Sequence, residues 1–536
     1  MVLKANRDSD TKTETDGSIM TNLDAEFQSR FRDALHAGVG DMAQDGAMSH
    51  GGTKLGERAL EIAARLSSRP MSRAVLSGFV RLADAAAIIV IGLATFYIYV
   101  FPSEAFDLHY AAALVLAPIL AVALIQASDG YQVAAFRTYV SQLGRIFTAW
   151  TIVFGFFALA IFFAKIGDQF SRVWFASWYA GGLAFFTLFR VILARFVQRW
   201  TAEGRLERRA VIVGGGMAAA ELIIELEAQR DNDIRICGIF DDRDDERSPP
   251  VVAGYPKLGT INELVEFARL TKLELLIVSI PLRAEKRLLQ LLKKLWVLPL
   301  DIRLSAHADK MRFRPRSYSY IGSVPLLDMF KRPIADWDSI AKRVFDLFFA
   351  TLALVVLSPL MIGTAIAIRA TSPGPALFRQ KRYGFNNEVI DVLKFRSMYN
   401  EMSDADARVA VTRGDPRVTP IGRFIRKSSI DELPQLFNVL RGELSLVGPR
   451  PHALGANTDN KLWDQVIDGY FARHKVKPGV TGWAQINGWR GECDTPDKIR
   501  NRIENDLYYI ENWSLPLDLY ILFLTPFRLL NTEHAY

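Results

Sequence analysis

Four long apolar runs in the first 200 residues restrict the fold of this chain more than any other feature. They cover residues 82–101, 108–127, 146–164 and 173–189. Each run approaches the ~20 residues that a helix needs to cross the ~30 Å hydrocarbon core of a bilayer. Four buried helices of a soluble protein would need polar faces, which these runs almost lack. The sequence therefore predicts a membrane protein with a four-helix transmembrane bundle over residues 71–200.

Length and composition narrow the class of protein further. The chain has 536 residues, enough for about three or four structural units. Two cysteines are too few for a disulfide framework or a zinc finger. With seven histidines and no His-Glu-x-x-His pair, a histidine-based metal centre is not expected. Residues 1–70 are polar and lack a secretory signal, so they are predicted to form a mainly disordered tail.

Positive charge in the short loops predicts the orientation of the bundle. Arg137 and Arg145 lie between the second and third runs, and further arginines precede the first run and follow the fourth. The loop after the first run instead holds Glu104 and Asp107. Because cytoplasmic loops carry the excess of lysine and arginine, the N-terminus and everything after Arg190 are predicted to be cytoplasmic.

Residues 205–330 have the pattern of a soluble α/β domain. A strand-like run is followed by Gly214-x-Gly216-x-x-Ala219 and then by an apolar-periodic helix. This spacing matches the dinucleotide-binding fingerprint, and Asp241 follows the next strand, where an acidic residue is expected. We therefore expect a Rossmann-like domain in which Gly214, Gly216 and Asp241 are candidate nucleotide contacts. A domain without a ligand is the favoured alternative, because any tight turn between a strand and a helix favours glycine.

A fifth apolar segment, residues 344–368, contains a helix-breaking pair. Ser358-Pro359 lies in its middle, and proline removes a helix hydrogen bond and clashes with the preceding turn. The part before this pair would form only ~21 Å of helix, which is too short to cross a membrane. Lysine and arginine flank both ends of the segment. We therefore expect a re-entrant membrane helix over residues 340–369, with a proline-kinked span as the rival interpretation.

Beyond this segment, Asp431-Glu432 follows a cluster of cations that includes Arg426. A carboxylate is already ionised at neutral pH and can act as a nucleophile without the help of a base. If its target is phosphorus, cations must reduce the repulsion between the two anions. Mg²⁺ suits this role because it binds one or two carboxylates together with substrate phosphates. A helix N-terminus is the alternative, with Ser428 or Ser429 as the cap and the two acids in the first turn.

Residues 331–536 carry a series of motifs in a fixed order. The motifs are Ser358-Pro359, Ser372-Pro373-Gly374-Pro375, Lys394–Met398, Asp431-Glu432-Leu433-Pro434-Gln435, Val447–Pro451 and Lys477–Glu492. This series resembles the bacterial polyprenyl-phosphate sugar-1-phosphate transferases, which are monotopic phosphoglycosyl transferases. Four spans and a Rossmann-like domain ahead of it are similar to the large members that begin exopolysaccharide or O-antigen synthesis. The resemblance implies an α/β-associated transferase domain over residues 331–536, on the cytoplasmic face of the bacterial inner membrane.

The resemblance also implies a two-step transfer of a hexose-1-phosphate. Asp431 would attack the sugar-bearing phosphorus of a UDP-sugar and release UMP, and undecaprenyl phosphate would capture the phospho-sugar aspartyl intermediate. Asp431 would also bind Mg²⁺, while Glu432 would assist either through the metal or by activating the acceptor. Arg426 is expected to contact phosphate, and the Ser358-Pro359 break to make the membrane helix re-entrant. The other matched positions, which are expected to bind substrate, are Lys394, Arg396, Arg450, Arg490 and Glu492.

The same resemblance indicates the partners of the protein. Glucose is the expected sugar, because the stretch 483–492 resembles that of glucose-1-phosphate transferases, and galactose comes next. The UDP-sugar, undecaprenyl phosphate and membrane lipid are the expected partners, and a homodimer is a further expectation. An apolar segment with aromatic residues, Leu515–Leu530, is predicted to lie as a helix at the membrane interface.

Three other functions fit only parts of the sequence. A membrane-tethered, NAD-dependent nucleotide-sugar dehydratase usually needs a Tyr-x-x-x-Lys pair, and none of the 16 tyrosines is followed by lysine at that distance. A non-catalytic scaffold would not need Asp431-Glu432 with its cationic neighbours. Nucleic-acid binding is suggested only by the net charge of +7, but the arginines cluster at predicted membrane edges and phosphate motifs. Nucleic acid is therefore not an expected partner.

Overall fold

The computed structural model describes most of the chain. The described residues are 55–66, 71–102, 106–136, 139–229, 234–243, 248–281, 284–305, 319–321, 324–400, 415–452, 457–458, 461–462, 470–489, 491 and 495–530. Most of the predicted N-terminal tail, residues 1–54 and 67–70, lies outside them. Within the tail, helix α1 (Glu57–Arg65) buries Ala59, so this part of the predicted tail is helical.

The predicted membrane region is helical in its described parts. Its helices are α2 (Arg73–Thr95, continued by a π-helical turn Phe96–Val100), α3 (Leu108–Ala127), α4 (Val133–Phe136), α5 (Tyr139–Ala164) and α6 (Arg172–Ala202). The four long helices coincide with the four apolar runs. Together with Asp336–Thr371 further along the chain, five helices among the described residues are long and apolar enough to cross a membrane.

Tryptophan side chains connect the long helices of this region. Trp174 and Trp178 on α6 donate their indole N–H groups to main-chain carbonyls of α2 at 2.9 and 2.8 Å. A Cβ at Gly92 would lie only 2.7 Å from the Trp178 ring, so glycine permits this close approach. Asp84 on α2 and Arg190 on α6 form a fully buried ion pair at 2.5 Å. These contacts satisfy polar groups that hydrocarbon could not solvate.

An eight-stranded sheet with flanking helices follows the membrane region. Its strands are β1 (Arg208–Val213), β2 (Ile234–Phe240), β3 (Val251–Val252), β4 (Tyr255–Gly259), β5 (Leu275–Val278), β6 (Asp301–Ser305), β7 (Ser319–Ile321) and β8 (Val324–Phe330). The strand order is β3-β4-β2-β1-β5-β6-β8-β7. Helices α7 (Met217–Glu227), α8 (Ile261–Thr271) and α9 (Glu285–Leu295) follow β1, β4 and β5.

The centre of this sheet has the topology of a Rossmann-like domain. Strands β1, β5 and β6 run parallel in register, and β2 and β4 also pair in parallel, whereas β3, β7 and β8 are antiparallel to their neighbours. The order along the chain reverses at β1, where the glycine-rich turn begins. Open α/β sheets place their ligand sites at such a point, so the topology agrees with the predicted domain class.

The C-terminal module is built from short elements around one long helix. Its helices are α10 (Asp336–Thr371), α11 (Pro420–Lys427), α12 (Gln435–Arg441), α13 (Trp483–Ile486), α14 (Pro496–Glu511) and α15 (Leu515–Leu530). Its strands are β9 (Leu377–Tyr383), β10 (Val389–Phe395), β11 (Ser445–Val447), β12 (Asn457–Thr458), β13 (Lys461–Leu462) and β14 (Gly479–Thr481). Strands β9 and β10 form an antiparallel hairpin, and β11 pairs in parallel with β14.

Helix α10 continues through the pair that was expected to break it. The hydrogen-bonded helix runs from Asp336 to Thr371 with Pro359 inside it. Pro359 has no N–H group for the carbonyl of Val355, four residues earlier. The hydroxyl of Ser358 donates to this carbonyl at 2.9 Å and replaces the missing bond. The Ser-Pro pair therefore removes one backbone hydrogen bond without interrupting the helix.

Both ends of α10 contact the rest of the C-terminal module. Near its start, Arg343 donates to the carbonyls of Val439 and Leu440 at the end of α12, at 2.6 and 2.7 Å. Near its end, Ile368 belongs to a buried apolar cluster with Phe395 of β10. The two anchoring regions therefore lie in one module, although they are 25 residues apart along the helix.

Candidate active site

A sharp change of chain direction presents the two candidate carboxylates. Helix α11 ends at Lys427, Ser429 adopts a left-handed conformation with φ of 56°, and a short 3₁₀ turn covers Ile430–Glu432. The Ser428 hydroxyl donates to the carbonyl of Phe424 in α11, and the Ser429 side chain makes no capping hydrogen bond to the turn. Ser429 thus stands at the N-cap and both acids lie in the first turn, as the alternative expects, but the side-chain capping hydrogen bond is absent.

Two cations hold the carboxylate of Glu432. Lys394 of β10 places Nζ 3.1 Å from Oε1, and Arg450 after β11 places Nη1 3.0 Å from Oε2 and Nη2 against Oε1. Burial alone would raise the pKa of Glu432, but the charges of Arg450 and Lys394 hold it well below its usual range. Glu432 is therefore ionised, and both of its oxygens are bound by Lys394 or Arg450.

Asp431 has a different environment from its neighbour. Of the residues that the structure describes, none forms a hydrogen bond or ion pair with its half-buried carboxylate. Burial and the negative charge of Glu432 raise the pKa of Asp431 to about 6, although Lys394, Arg426 and Arg450 oppose this shift. At neutral pH this carboxylate is therefore ionised and available to an incoming phosphate or metal ion.

Arg382 is a cation of the site that the sequence did not single out. The register of the hairpin pairs Arg382 with Ile390 and Phe378 with Lys394, which places the two cations on the same face. Arg382 donates to the carbonyl of Pro451 at 2.5 Å. Burial and the nearby Arg450 lower the pKa of Arg382 to about 10. In the sequence, Arg382 belongs to the basic stretch that forms β9. This stretch was used only to predict membrane topology.

Arg396, a predicted substrate contact, binds the main chain at the end of α10. It is 3% exposed, and its guanidinium donates to the carbonyls of Ser372 and Pro373, at 2.9 and 2.5 Å. These bonds fix the chain just after α10. Gly374 is required here, because its φ is +115° and a Cβ would overlap the Arg396 side chain. These contacts give Arg396 a structural role at the end of α10, and its expected substrate contact stays a prediction.

The remaining predicted residues divide into two groups. Arg426, on α11, is half-buried, and its charge lowers the pKa of Asp431. It therefore acts on the candidate nucleophile. Arg490 and Glu492 lie outside the described residues. The site that the structure assembles therefore consists of Asp431 and Glu432 with the cations of Lys394, Arg426, Arg450 and Arg382.

The glycine-rich turn of the Rossmann-like domain is occupied by the protein itself. Gly214 follows β1 and Gly216 precedes α7, as the fingerprint predicts. The N–H of Gly215 donates to Asp241 at 2.7 Å, and Arg243 pairs with the same carboxylate at 2.7 Å. Burial would raise the pKa of Asp241, but Arg243 and the Gly215 N–H lower it. This arrangement favours the alternative of a structural turn, because the Asp241 carboxylate already occupies an anion-binding N–H group.

Two family models match parts of this chain. Residues 337–532 match a family model described as bacterial sugar transferase, and residues 126–306 match one described as CoA-binding domain. The second match begins within the predicted membrane region and ends one residue after β6, so it leaves out β7 and β8 of the sheet.

Curated relatives cover much of the length. A UDP-glucose:undecaprenyl-phosphate glucose-1-phosphate transferase of Xanthomonas campestris pv. campestris is 36% identical over 75% of this chain and 82% of its own. A protein of the same description from Escherichia coli (strain K12) is 35% identical over 74% and 83%. An undecaprenyl-phosphate glucose phosphotransferase of Komagataeibacter xylinus is 42% identical over 63% of this chain and 62% of its own length. With its apolar helices, its α/β sheet and these relatives, the chain belongs to the bacterial sugar transferase family, and it is a membrane-associated enzyme.

Proposed function

We propose that the protein transfers glucose-1-phosphate from UDP-glucose to undecaprenyl phosphate through a covalent intermediate on Asp431. This is the first membrane step of exopolysaccharide, capsule or O-antigen synthesis. One observation carries the proposal: Asp431 has an accessible carboxylate without a partner among the described residues, while two cations hold the adjacent Glu432. The descriptions of the Xanthomonas and Escherichia relatives support the choice of donor and acceptor.

In the first step, a carboxylate oxygen of Asp431 attacks the phosphorus that carries glucose. The bond from this phosphorus to the oxygen of UMP breaks, and UMP leaves with the electron pair. In the second step, an oxygen of undecaprenyl phosphate attacks the same phosphorus and expels the Asp431 carboxylate. Lys394, Arg426 and Arg450 reduce the repulsion between the attacking carboxylate and the diphosphate, and they favour the charge that develops in transfer.

Glu432 has a supporting role in this mechanism. Its pKa is well below the usual range, because Arg450 and Lys394 outweigh the effect of burial, so it is a poor proton acceptor near neutral pH. Its two oxygens bind both cations, which places the positive charge of each beside Asp431. The resemblance left two roles open for Glu432: assistance through the metal ion or activation of the acceptor. Its contacts with Lys394 and Arg450 are explained without either role. Glu432 orients Lys394 and Arg450.

We also propose that Mg²⁺ acts at this site. Asp431 is the acidic residue that offers an unpaired oxygen, and the diphosphate of the donor supplies further ligands. No group of three or more His, Cys, Asp or Glu side chains within the described ranges could hold a metal alone. The residues therefore fit an ion that binds together with its substrate, and such an ion neutralises phosphate charge.

A re-entrant course of α10 explains why both of its ends contact one module. A straight helix would separate Arg343 from Ser372 by ~43 Å, more than the ~30 Å of hydrocarbon. Asn438 links the two anchoring regions, because its side chain bonds the N–H of Leu393 in β10 at 2.9 Å while Val439 beside it binds Arg343. Ends on opposite faces of a membrane could not share such a small region. This supports a helix that enters and leaves on the cytoplasmic face.

The exposed side chains of α10 indicate how the module meets lipid. Six apolar side chains along this helix are 60–68% exposed, and they are Val344, Phe348, Val355, Val356, Ile362 and Ile366. On α15, Phe523 and Phe527 are 65% and 69% exposed. Burial of such surface in lipid is favourable, which fits a site at the headgroup level of the inner membrane. Domains over 71–200, 205–330 and 331–536, a four-helix bundle, a cytoplasmic catalytic face and a homodimer remain parts of the proposal.

The test measures UMP release in membranes that contain the full chain. Asp431→Asn should abolish release from UDP-glucose, because a neutral amide is a poor nucleophile toward phosphorus. Asp391→Asn is the matched control, since Asp391 is an exposed carboxylate on β10. Chelation with EDTA should stop release, and added Mg²⁺ should restore it. Normal release by Asp431→Asn, or a sugar-phosphate adduct on another residue, would contradict the covalent mechanism, and a preference for UDP-galactose would contradict the donor.

A further inference from the structure

The main-chain carbonyl of Arg450 accepts a hydrogen bond from Arg473, a buried arginine outside the motifs of the sequence analysis. Arg473 lies in a 3₁₀ turn, Tyr470–Lys475, and is 1% exposed. Its Nη2 donates to the main-chain carbonyl of Arg450 at 2.8 Å and to Oδ2 of Asp506 at 2.5 Å. One guanidinium therefore connects helix α14, which carries Asp506, to the residue that binds Glu432.

The other neighbours of Arg473 are buried and polar. Its Nη1 lies 3.0 Å from Nε2 of His452, whose Nδ1 lies 2.9 Å from the Tyr470 hydroxyl. Burial and the charge of Arg473 hold the pKa of His452 well below its usual range, so the ring is neutral and can accept a hydrogen bond. Asp506 is the carboxylate paired with Arg473. Because burying a charge is costly, this arrangement requires close fit at each contact.

Two further contacts fix the same short segment. Arg382 donates to the carbonyl of Pro451 at 2.5 Å, and the N–H of Tyr383 donates to the carbonyl of His452 at 3.2 Å. The carbonyls of Arg450, Pro451 and His452 are thus all bonded within the module. The bidentate contact of Arg450 with Glu432 depends on this, because a planar guanidinium meets both carboxylate oxygens only from one direction.

We propose that Arg473 is a positioning residue for the sugar-phosphate transfer. It fixes the main chain of Arg450 so that the Arg450 guanidinium reaches both oxygens of Glu432 beside Asp431. Arg473 touches neither the substrate nor the reacting atoms. This inference rests on the proposed function, since it assigns Arg473 a part in orienting that site.

The split between kcat and KM separates positioning from a merely structural role. The charges of Lys394, Arg426 and Arg450 act on Asp431, beside which the phosphoryl group would be transferred. If Arg450 moves away from Glu432, the folded enzyme loses stabilisation of the transition state, so kcat falls while KM for UDP-glucose changes little. A general loss of stability lowers only the amount of folded enzyme, so kcat per folded enzyme and KM keep their values.

The experiment uses the full chain in membranes and measures UMP release against the concentration of UDP-glucose, with rates expressed per folded enzyme. Arg473→Met should lower kcat roughly 10- to 100-fold, as a small misplacement of a catalytic group does. Its KM for UDP-glucose should stay close to that of the unsubstituted protein. Arg473→Lys keeps the charge but loses the planar pair of donors, so it should lower kcat by less. A loss of kcat in Arg473→Lys is therefore caused by geometry rather than by the missing charge.

Ile503→Val is the control for general destabilisation. Ile503 lies on α14, is 1% exposed, and belongs to the apolar cluster rather than to the polar contacts of Arg473. It should lower the melting temperature without changing kcat per folded enzyme. Arg473 is not a positioning residue if Arg473→Met and Arg473→Lys have the same kcat per folded enzyme as Ile503→Val. If Arg473→Met fails to fold, Arg473→Lys alone decides. Failure of the proposed function is distinct, because the unsubstituted protein would then release no UMP, or Asp431→Asn would still release it.

Discussion

Adjacent carboxylates at residues 431 and 432 differ in what surrounds them rather than in their own chemistry. Glu432 is 13% exposed and lies between Lys394 and Arg450, which keep its pKa low in spite of burial. Burial and the negative charge of Glu432 together raise the pKa of Asp431 to about 6. The site thus keeps one carboxylate as a fixed anion and leaves the other with the environment that the proposed nucleophile needs.

The environment of these residues predicts a bell-shaped pH profile for UMP release. Below about pH 6 the Asp431 carboxylate becomes protonated and loses the ionised form that the proposed attack needs. Burial lowers the pKa of Lys394 to about 8, although Glu432 opposes this, so above about pH 8 Lys394 loses its charge. Initial rates from pH 5 to 9 measure both limbs. Lys394→Arg should retain the acidic limb and remove the alkaline one, because arginine stays protonated. A flat profile would contradict the assignment.

The sequence could predict which residue types form the site but not how they divide the work. Asp431-Glu432 and the nearby cations are visible as motifs, because nucleophile and phosphate contacts need those side chains. The difference between the two acids depends on Lys394 and Arg450, which lie 38 and 18 positions from Glu432 along the chain. The contacts of Arg396 could not be predicted for the same reason, since only the folded chain brings it to the end of α10.

At the scale of single elements, α10 combines a continuous helix with a local defect. The hydroxyl of Ser358 donates to the carbonyl of Val355, which proline leaves without a backbone hydrogen bond. This carbonyl therefore has a hydrogen-bond partner where lipid could not supply one. Sequence reasoning could identify the proline but not this compensation. It therefore predicted a break where the structure has a helix from Asp336 to Thr371.

Cysteine labelling tests the course of α10. Lys331→Cys and Lys427→Cys report on the chain before and after the helix, since both lysines have exposed side chains. Both positions should react with a membrane-impermeant maleimide in inside-out vesicles and remain unlabelled in right-side-out ones. Cys237 is buried and does not need to be replaced. Cys493, the second cysteine of the sequence, is replaced by serine. Labelling of the two sites from opposite sides would rule out the re-entrant course.

At the scale of the whole molecule, the sheet domain and the C-terminal module meet at a buried lysine. Lys475 is 8% exposed, and its Nζ lies 4.8 Å from the ring centre of Trp296 and 5.5 Å from that of Phe330. Trp296 follows α9, and Phe330 ends β8, so both rings come from the sheet domain. Lys475 also belongs to the same 3₁₀ turn as Arg473. The sheet domain therefore supports a turn that contacts the site.

Trp296→Ala should weaken this support. Removing a buried tryptophan side chain leaves a cavity and costs about 3 kcal/mol of stability. It also leaves the Lys475 ammonium without its nearest ring, so we expect a lower melting temperature and slower UMP release in the full chain. Trp296→Phe is the control, because it retains an aromatic ring and should lose less of both. Unchanged melting and release in Trp296→Ala would show that the contact has no role.

A helix whose two ends are anchored in one module inserts to a limited depth. In the proposed re-entrant course both ends of α10 lie on one face of the membrane, so the C-terminal module would displace lipid from a single leaflet as a wedge. The long helices α2, α3, α5 and α6 instead have lengths that match a whole bilayer. The two parts of one chain would then respond to different properties of the membrane. The proposed bundle would respond to its thickness, and the transferase module to the lateral packing of the leaflet that holds the proposed lipid acceptor.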